Sequence, residues 1–481
     1  MLAAYEIVIG LEVHVELHTA SKIFCSCPNH FGAEPNTNTC PVCLGLPGSL
    51  PVFNQNALEL ALRAALALNC RINHFSRFAR KNYFYPDLPK AYQISQYEFP
   101  LAGNGHLAVY KNGELVRNVN IERLHLEEDA GKLLHDEGHA SSYVDYNRCG
   151  VPLIEIVTGP DLRSPEEARL FLETLRRTLL YTRISDCKME EGSLRCDANI
   201  SLRPWGAEKL GQKVEIKNMN SFKAVQRGLE YEAKRQAEIL AKGGRVSQET
   251  RRWHEDEGVT SEMRSKEQEQ DYRYFPEPDL PPLVVDEILL GRIRRELPEL
   301  PLPRYRRFIN DYELTPYQAE VITSDRDLAD FYEETVKIYY EPQKVANWLL
   351  GDVLKMVKQA AGEINETPFT PAHLAELLKL VDGEQISGRT AKEVLEESFN
   401  SGKMPAAIVK DKGLGQISDR DELEKVVDTV LHENETAVHD YQEGNKKAVA
   451  FLVGSVMKAT RGKANPQLVT ALLEKKLTGN K

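Results

Sequence analysis

The sequence predicts an α+β protein in which strands occupy the first part of the chain and helices the rest. Three observations carry this reading. Glu6 to His18, EIVIGLEVHVELH, alternates apolar and other residues with almost no slip, the period of a strand with one buried face. From about residue 300 onward no such alternation occurs, and apolar residues recur at helical spacing instead. A length of 481 residues corresponds to about three domains at ~150 residues each.

In the opening strand Ile7, Ile9, Leu11, Val13, Val15 and Leu17 point one way, so Glu12, His14 and Glu16 stand in a row on the other face. Two carboxylates and an imidazole on one rigid surface suit either a solvated outer face or a site for cation or phosphate chemistry. The preceding MLAAYEIVIG lacks leading Lys or Arg and is interrupted by Glu6, so it is not expected to act as a signal peptide. No uninterrupted apolar run of about eighteen residues occurs, and a cytoplasmic protein with no membrane partner is the expectation.

A net charge of −11 argues against a broadly basic nucleic-acid coat. Charge is unevenly spread, however. From Lys446 to Lys481 eight Lys/Arg face one acidic residue, Glu474, for a local charge of +7. One end of an acidic chain is thereby suited to a polyanion, or serves as a solubilising tail.

Eight cysteines in so long a chain do not suggest a disulfide scaffold. Four of them form two close pairs, Cys25/Cys27 and Cys40/Cys43, with twelve residues between the pairs. That spacing, with turn residues Pro41, Gly45, Pro47 and Gly48 around it, predicts a closed structural Zn²⁺ site. Cys70, Cys149, Cys187 and Cys196 are scattered and read as core thiols.

A helix is expected over Asn56 to Leu68, with Leu58, Leu62, Ala65 and Leu66 on one face. Next comes a segment in which cations and aromatics interleave: Arg77, Arg80, Lys81, Tyr83, Phe84, Tyr85, Lys90 and Tyr92. A second such segment runs from Asp271 to Asp279 as DYRYFPEPD. The mixture can pair phosphates and stack bases, and it is also common in packed loops and protein interfaces. Gly103-Asn-Gly105 lacks the third glycine of a dinucleotide fingerprint and reads as a hairpin turn. The chain contains neither a P-loop nor a G-x-S-x-G elbow.

Further polar clusters fall on strands. RLHLEED, Arg123 to Asp129, ends in three consecutive acids, at least one of which joins the face of His125. In Leu194 to Leu202 the residues Arg195, Asp197, Asn199 and Ser201 share one face. Glu155 is a lone carboxylate inside the apolar run PLIEIV and needs a cation or donor. Together these strands favour a hard-cation site.

Downstream, Thr315-Pro316 with Gln318, Ser324 to Asp327, and Thr370-Pro371 are helix starts. Lys403-Met-Pro405 reads as a joint, and a helix is expected over Asn445 to Lys458 with Ala448, Phe451, Leu452 and Ser455 inward.

These segments together resemble the GatB family, the tRNA-binding component of the aspartyl/glutamyl-tRNA amidotransferases. The likeness runs the whole length through IGLEVHVEL, AEPNTNTCPVCLGLPGSLP, RKNYFYPDLPKAYQISQ, LHLEEDAGK, NRCGVPLIEIV, MEEGSLRCDANISLRP, KNMNSF, DYRYFPEPDLPPL and GKANPQLV. The resemblance implies a catalytic cradle on an extended, mainly antiparallel sheet over 1–295, an all-α domain over 296–403 and a small all-α tail over 404–481 that engages tRNA. It also implies a two-step reaction: ATP phosphorylates the side-chain carboxylate of glutamate or aspartate mischarged on tRNA(Gln) or tRNA(Asn), and ammonia displaces the phosphate. A separate amidase (GatA-type) subunit releases the ammonia from glutamine, and a small GatC-type subunit completes a heterotrimer. Matched motif to motif, Glu12, His14, Glu127, Glu128, Glu155 and Asp197 form the Mg²⁺ and nucleotide-phosphate shell, with Glu12, His14, Glu128 and Glu155 as catalytic metal ligands and the Glu127/Glu128 choice open. Arg195 and Lys81 are lesser candidates for pairing phosphate or carboxylate. Glu16 is left as a rim or structural charge. Two competing classes remain, a metal-dependent nuclease and a non-catalytic tRNA-binding scaffold.

Overall fold

The structure, a computed structural model, describes residues 2–111, 113–135, 141–265, 271–415, 420–443, 445–460 and 463–478. The chain divides into two compact units, Met1–Pro301 and Leu302–Lys481. The first is α+β and the second is helical, as the hydrophobic periods predict. Among the described residues no helix is long and apolar enough to cross a membrane.

The first unit is organised around a nine-stranded sheet whose central strands run Leu194–Pro204, Tyr5–Glu16, Pro152–Thr158, Glu114–Glu128 in that order. Neighbouring strands pair antiparallel throughout, except for Val214–Lys217 with Glu249–His254, which are parallel. The opening strand is therefore central, hydrogen-bonded on both edges. One sheet face carries Leu11, Val13 and Val15 with Leu124, Leu126, Ile154, Ile156, Cys196, Ala198 and Ile200, all buried. Helices Gln55–Ala67, Pro165–Thr182 and Phe222–Ala241 cover it, supplying Leu62, Phe171, Leu172, Val225 and Leu229 to the same core. Asn54, Ser164 and Ser221 cap these helices, each side chain accepting a backbone N–H of the first turn. Burying a Leu or Phe side chain is worth about 1.5–3 kcal/mol, so this one-sided core holds the polar face in position.

Gly103-Asn-Gly105 is not a hairpin turn. It lies within the strand Ala102–Lys111, with Asn104 at φ 52°. A Cβ at Gly105 would stand 2.4 Å from Cys70 Sγ and 2.7 Å from the Leu68 carbonyl oxygen. The glycines admit close backbone approach.

A small three-stranded sheet, Phe275–Pro276, Ala79–Asn82 and Tyr92–Ser95, joins the two aromatic-cation segments. Arg80 locks them together through a two-pronged ion pair with the buried Glu277, at 2.7 and 2.9 Å.

The second unit contains two apolar clusters. One runs from Phe308 through Leu377, Leu378 and Leu395 to Ile408, and the helix Pro405–Lys412 belongs to it. The other begins at Leu423 and includes Val427, Leu452, Val456 and Leu473. Thr315 forms the expected capping box with Gln318, and Asp325 rather than Ser324 caps Arg326–Ile338. In the helix Ala448–Ala459, Ala448 and Leu452 are buried as expected, but Phe451 is exposed and Val456 takes the inward place four residues after Leu452. Arg461 and Lys481 of the basic end lie outside the described residues.

Candidate active site

The uncovered face of the sheet forms the floor of a cavity of about 880 Å³. Strand register explains its composition. Arg195 lies opposite His14, His14 opposite Glu155, and Glu155 opposite His125. Four strands thus contribute one polar residue each to a single row, at the ~4.8 Å spacing of neighbouring strands. Two residues along, Asp197 lies opposite Glu12 and Val157 opposite Arg123.

His14 Nε2 lies 3.5 Å from Glu127 Oε1 and 3.4 Å from Glu155 Oε2. His125 Nε2 is 3.5 Å from a carboxylate oxygen of each of the same two residues. Donor atoms of His14, Glu127 and Glu155 lie within 4.8 Å of one another, close enough to hold one metal ion. Burial resists protonation of His14, but the Glu155 hydrogen bond and the Glu127 charge outweigh it and raise its pKa. Burial likewise opposes ionisation of Glu127 and Glu155. The His125 contact overcomes it at Glu127, and the His125 charge with the His14 bond at Glu155, so both fall below the ordinary carboxylate value. The floor is anionic and attracts positive charge. Ser95 Oγ donates to Glu127 Oε2 at 3.1 Å, fixing that carboxylate.

Glu12 occupies the adjoining part of the floor. Burial first, then the Glu155 and Glu215 charges, raise its pKa. Asn199 Nδ2 donates to it at 3.0 Å, and Lys217 pairs with Asp197 and, at 3.0 Å, with Glu215. Arg195 lies 2.8 Å from Asp129, whose pKa it holds down at about 2 against burial. Glu16 borders this pair, and burial with the Asp129 charge pushes its pKa up to about 8. Lys81 projects into the cavity at 5.0 Å from the Tyr272 ring, with no carboxylate at ion-pairing distance among the described residues.

Glu128 does not join this set. Its side chain pairs with Lys90 and accepts the Ile94 N–H at 2.8 Å, away from the cavity lining. The reason is the strand period: Leu124, Leu126 and Glu128 share the covered face, whereas Arg123, His125 and Glu127 share the open one. Of the two residues between which the sequence leaves the choice open, Glu127 lies on the cavity face beside Glu12, His14 and Glu155, and Glu128 does not. Lys217, Glu215, Arg123, Tyr83, Tyr272 and Tyr274 also line the cavity and were not singled out as site residues by the sequence. For Arg123 the signal was present, two residues before His125 on an alternating strand.

The donor set suits a hard divalent cation, with two ionised carboxylates and an imidazole on a face open to solvent and substrate. The second set is of a different kind. Sulfurs of Cys25, Cys27, Cys40 and Cys43 lie within 4.8 Å of one another. The Cys40 N–H donates to Cys43 Sγ at 3.1 Å and Lys22 Nζ lies 3.7 Å from it. Contact with Cys25 and this donor shell hold the Cys43 thiol at about 4, against burial. Four sulfurs with one already favoured as thiolate fit Zn²⁺.

The first unit thus carries a sheet-floored, carboxylate-rich cavity of the kind enzymes use, and the second unit is helical. Residues 7–290 match the GatB/GatE catalytic domain, and residues 330–477 match the GatB domain. Curated relatives include the GatB-type component of the aspartyl/glutamyl-tRNA(Asn/Gln) amidotransferase of Carboxydothermus hydrogenoformans, 58% identical over 98% of this chain and 99% of its own. The proteins of the same name from Thermoanaerobacter pseudethanolicus and Moorella thermoacetica are 56% and 57% identical, again over 98% of this chain and 99% and 100% of theirs. The chain belongs to the GatB family of tRNA-dependent amidotransferase subunits.

Proposed function

We propose that this chain is the kinase and tRNA-binding half of a glutamine-dependent amidotransferase acting on Glu-tRNA(Gln), Asp-tRNA(Asn) or both. Its reaction transfers the γ-phosphoryl group of ATP to the side-chain carboxylate of the tRNA-bound amino acid. Ammonia then forms the C–N bond, phosphate leaves, and the nitrogen loses a proton. A carboxylate is a poor acyl donor, and the phosphate supplies the leaving group that hydroxide or oxide cannot.

The observation that carries this reading is the convergence of His14, Glu127 and Glu155 on the floor of a cavity large enough for substrate. Those three would hold Mg²⁺, with Glu12 and Asp197 beside them. When bound, the cation neutralises charge on the transferring phosphates. Lys81 is suited to meet a phosphate or the acceptor carboxylate, since it enters the cavity without a carboxylate partner of its own among the described residues. Arg195 orients Asp129 and, through it, the edge of the floor. The cysteine cluster would hold a structural Zn²⁺ that braces the loop over 25–43.

No nucleophile elbow appears in the sequence, which supports delivery of ammonia by a partner amidase with a small third component. The basic end after Lys446, in a tail whose own apolar cluster begins at Leu423, is suited to the tRNA backbone. The test is amide formation by the reconstituted complex with Glu-tRNA(Gln) and Asp-tRNA(Asn) side by side. Amide product that requires ATP and mischarged tRNA supports the reading; tRNA cleavage with Mg²⁺ alone would favour the nuclease.

A further inference from the structure

The two aromatic-cation segments lie about 190 residues apart in sequence, yet the small sheet brings them to one wall of the cavity. The wall starts inside at Lys81, whose ammonium is 5.0 Å from the Tyr272 ring centroid. Tyr272 meets Tyr274 edge to face at 6.1 Å. Tyr274 in turn stacks on Tyr97 at 4.2 Å with only 6° between the planes. Tyr97 and Tyr274 line both the cavity and a small outer cleft shared with Arg77, Phe99 and Phe275. Arg77 sits 5.0 Å over the Phe99 ring and pairs with Glu98 at 3.2 Å. A row of rings therefore leads from the site to the surface, with a cation at each end.

These rings are not buried as packed core rings are. Tyr97 remains 51% exposed and Phe99 39%, although each already contacts another ring or a guanidinium. Phe275, on the facing segment, is 44% exposed. A contiguous exposed aromatic patch at a cavity mouth marks a binding surface. The backbone is also held in place there. Arg273 adopts φ 45°, a left-handed conformation uncommon for a side chain of its size, and Asn82 secures the segment by donating to the Arg273 carbonyl at 2.8 Å.

We infer that the Tyr97–Tyr274 stack and the outer rings form a base-stacking path for the unpaired 3′ end of an RNA entering the cavity. The inference rests on the reading above and names how that site takes its larger substrate. Successive rings with flanking cations match successive unpaired bases with phosphates between them. A mononucleotide such as ATP has one base and would leave the outer rings uncovered, so the length of the row favours RNA.

The test uses the full chain and tRNA carrying 2-aminopurine at its 3′-terminal position, titrated without ATP. Binding should quench the probe. Tyr97→Ala and Tyr274→Ala should each weaken tRNA binding roughly tenfold and reduce the quench, the loss expected for one stacked base. Tyr97→Trp should restore both, which a lost structural contact alone would not, and Phe31→Ala, at an exposed ring outside this wall, should change neither. Unchanged tRNA affinity in both alanine variants overturns the inference. So does a rise in KM for ATP with tRNA affinity unmoved, since the stack would then hold the mononucleotide. Because the probe is read without turnover, a quench by a chain whose reconstituted complex makes no amide would support the stacking path while removing the kinase reading.

Discussion

The first unit holds two clusters able to bind a metal, and they are built in opposite ways. Cys25, Cys27, Cys40 and Cys43 come from one loop, and their sulfurs converge locally. His14, Glu127 and Glu155 come from three strands and meet only because antiparallel register sets them side by side. Four soft ligands of the first could close a tetrahedron round a metal ion, which would leave no position for chemistry. The second leaves an anionic floor facing a cavity, where a cation can keep positions for substrate. A brace can be local, but a site that must surround its substrate draws on distant parts of the chain.

Striking each cluster in turn, and reading both activity and stability, separates the two. Glu155→Gln or His14→Ala should lower amide formation by at least about 10²–10³-fold, comparable to losing a key electrostatic group, while tRNA affinity stays within about twofold. Steady-state rates and filter binding measure the two quantities. An equal loss of both would make the floor an RNA-binding face rather than a reaction centre.

Cys43→Ser should act the other way round. Purified chain should contain about one equivalent of zinc, and the variant markedly less. Structural zinc can contribute on the order of 10 kcal/mol in small domains, so thermal unfolding of the first unit should shift down by many degrees even though its sheet core remains. Below about half an equivalent in the unmodified chain, the closed-site assignment is wrong.

Glu127 and Glu128 provide a finer comparison within one strand. Glu127→Gln should abolish most turnover with little change in stability. Glu128→Gln leaves the buried Lys90 ammonium without its partner, which should cost about 3–5 kcal/mol of stability and spare the chemistry of correctly folded enzyme. Urea unfolding together with activity per folded molecule distinguishes these outcomes. The smallest effect is expected at the basic end: replacing Lys458 or Lys463 singly by Ala should reduce the salt slope of tRNA binding by about one and weaken affinity modestly.

Much of this was legible in the sequence because it rests on short periods. Alternation over Glu6 to His18 identifies a strand and its polar face, the cysteine spacing identifies a metal-type loop, and Thr315 with Gln318 marks a helix start. The choice between Glu127 and Glu128 was also within reach, since counting by two from His125 lands on Glu127. What could not be read was register. Nothing in the local sequence says that His14 stands opposite Glu155 and Arg195, because pairing is set by buried residues on the far side of the sheet. Lys217 was missed for the same reason, and the segment holding Tyr272 and Tyr274 was seen but not its place on the cavity wall: each reaches the cavity through tertiary pairing. Gly103-Asn-Gly105 misled because two glycines suggest a turn, whereas here they make room for a neighbouring backbone.

Whether the strand-built floor is a cation site can be decided by electron paramagnetic resonance of Mn²⁺, a stand-in for Mg²⁺, titrated into the full chain. One bound Mn²⁺ that Mg²⁺ displaces is expected, lost in Glu155→Gln and His14→Ala and kept in Cys43→Ser and folded Glu128→Gln. Retention of that ion in both Glu155→Gln and His14→Ala, or its loss in Cys43→Ser alone, would refute the assignment of the floor as the hard-metal centre.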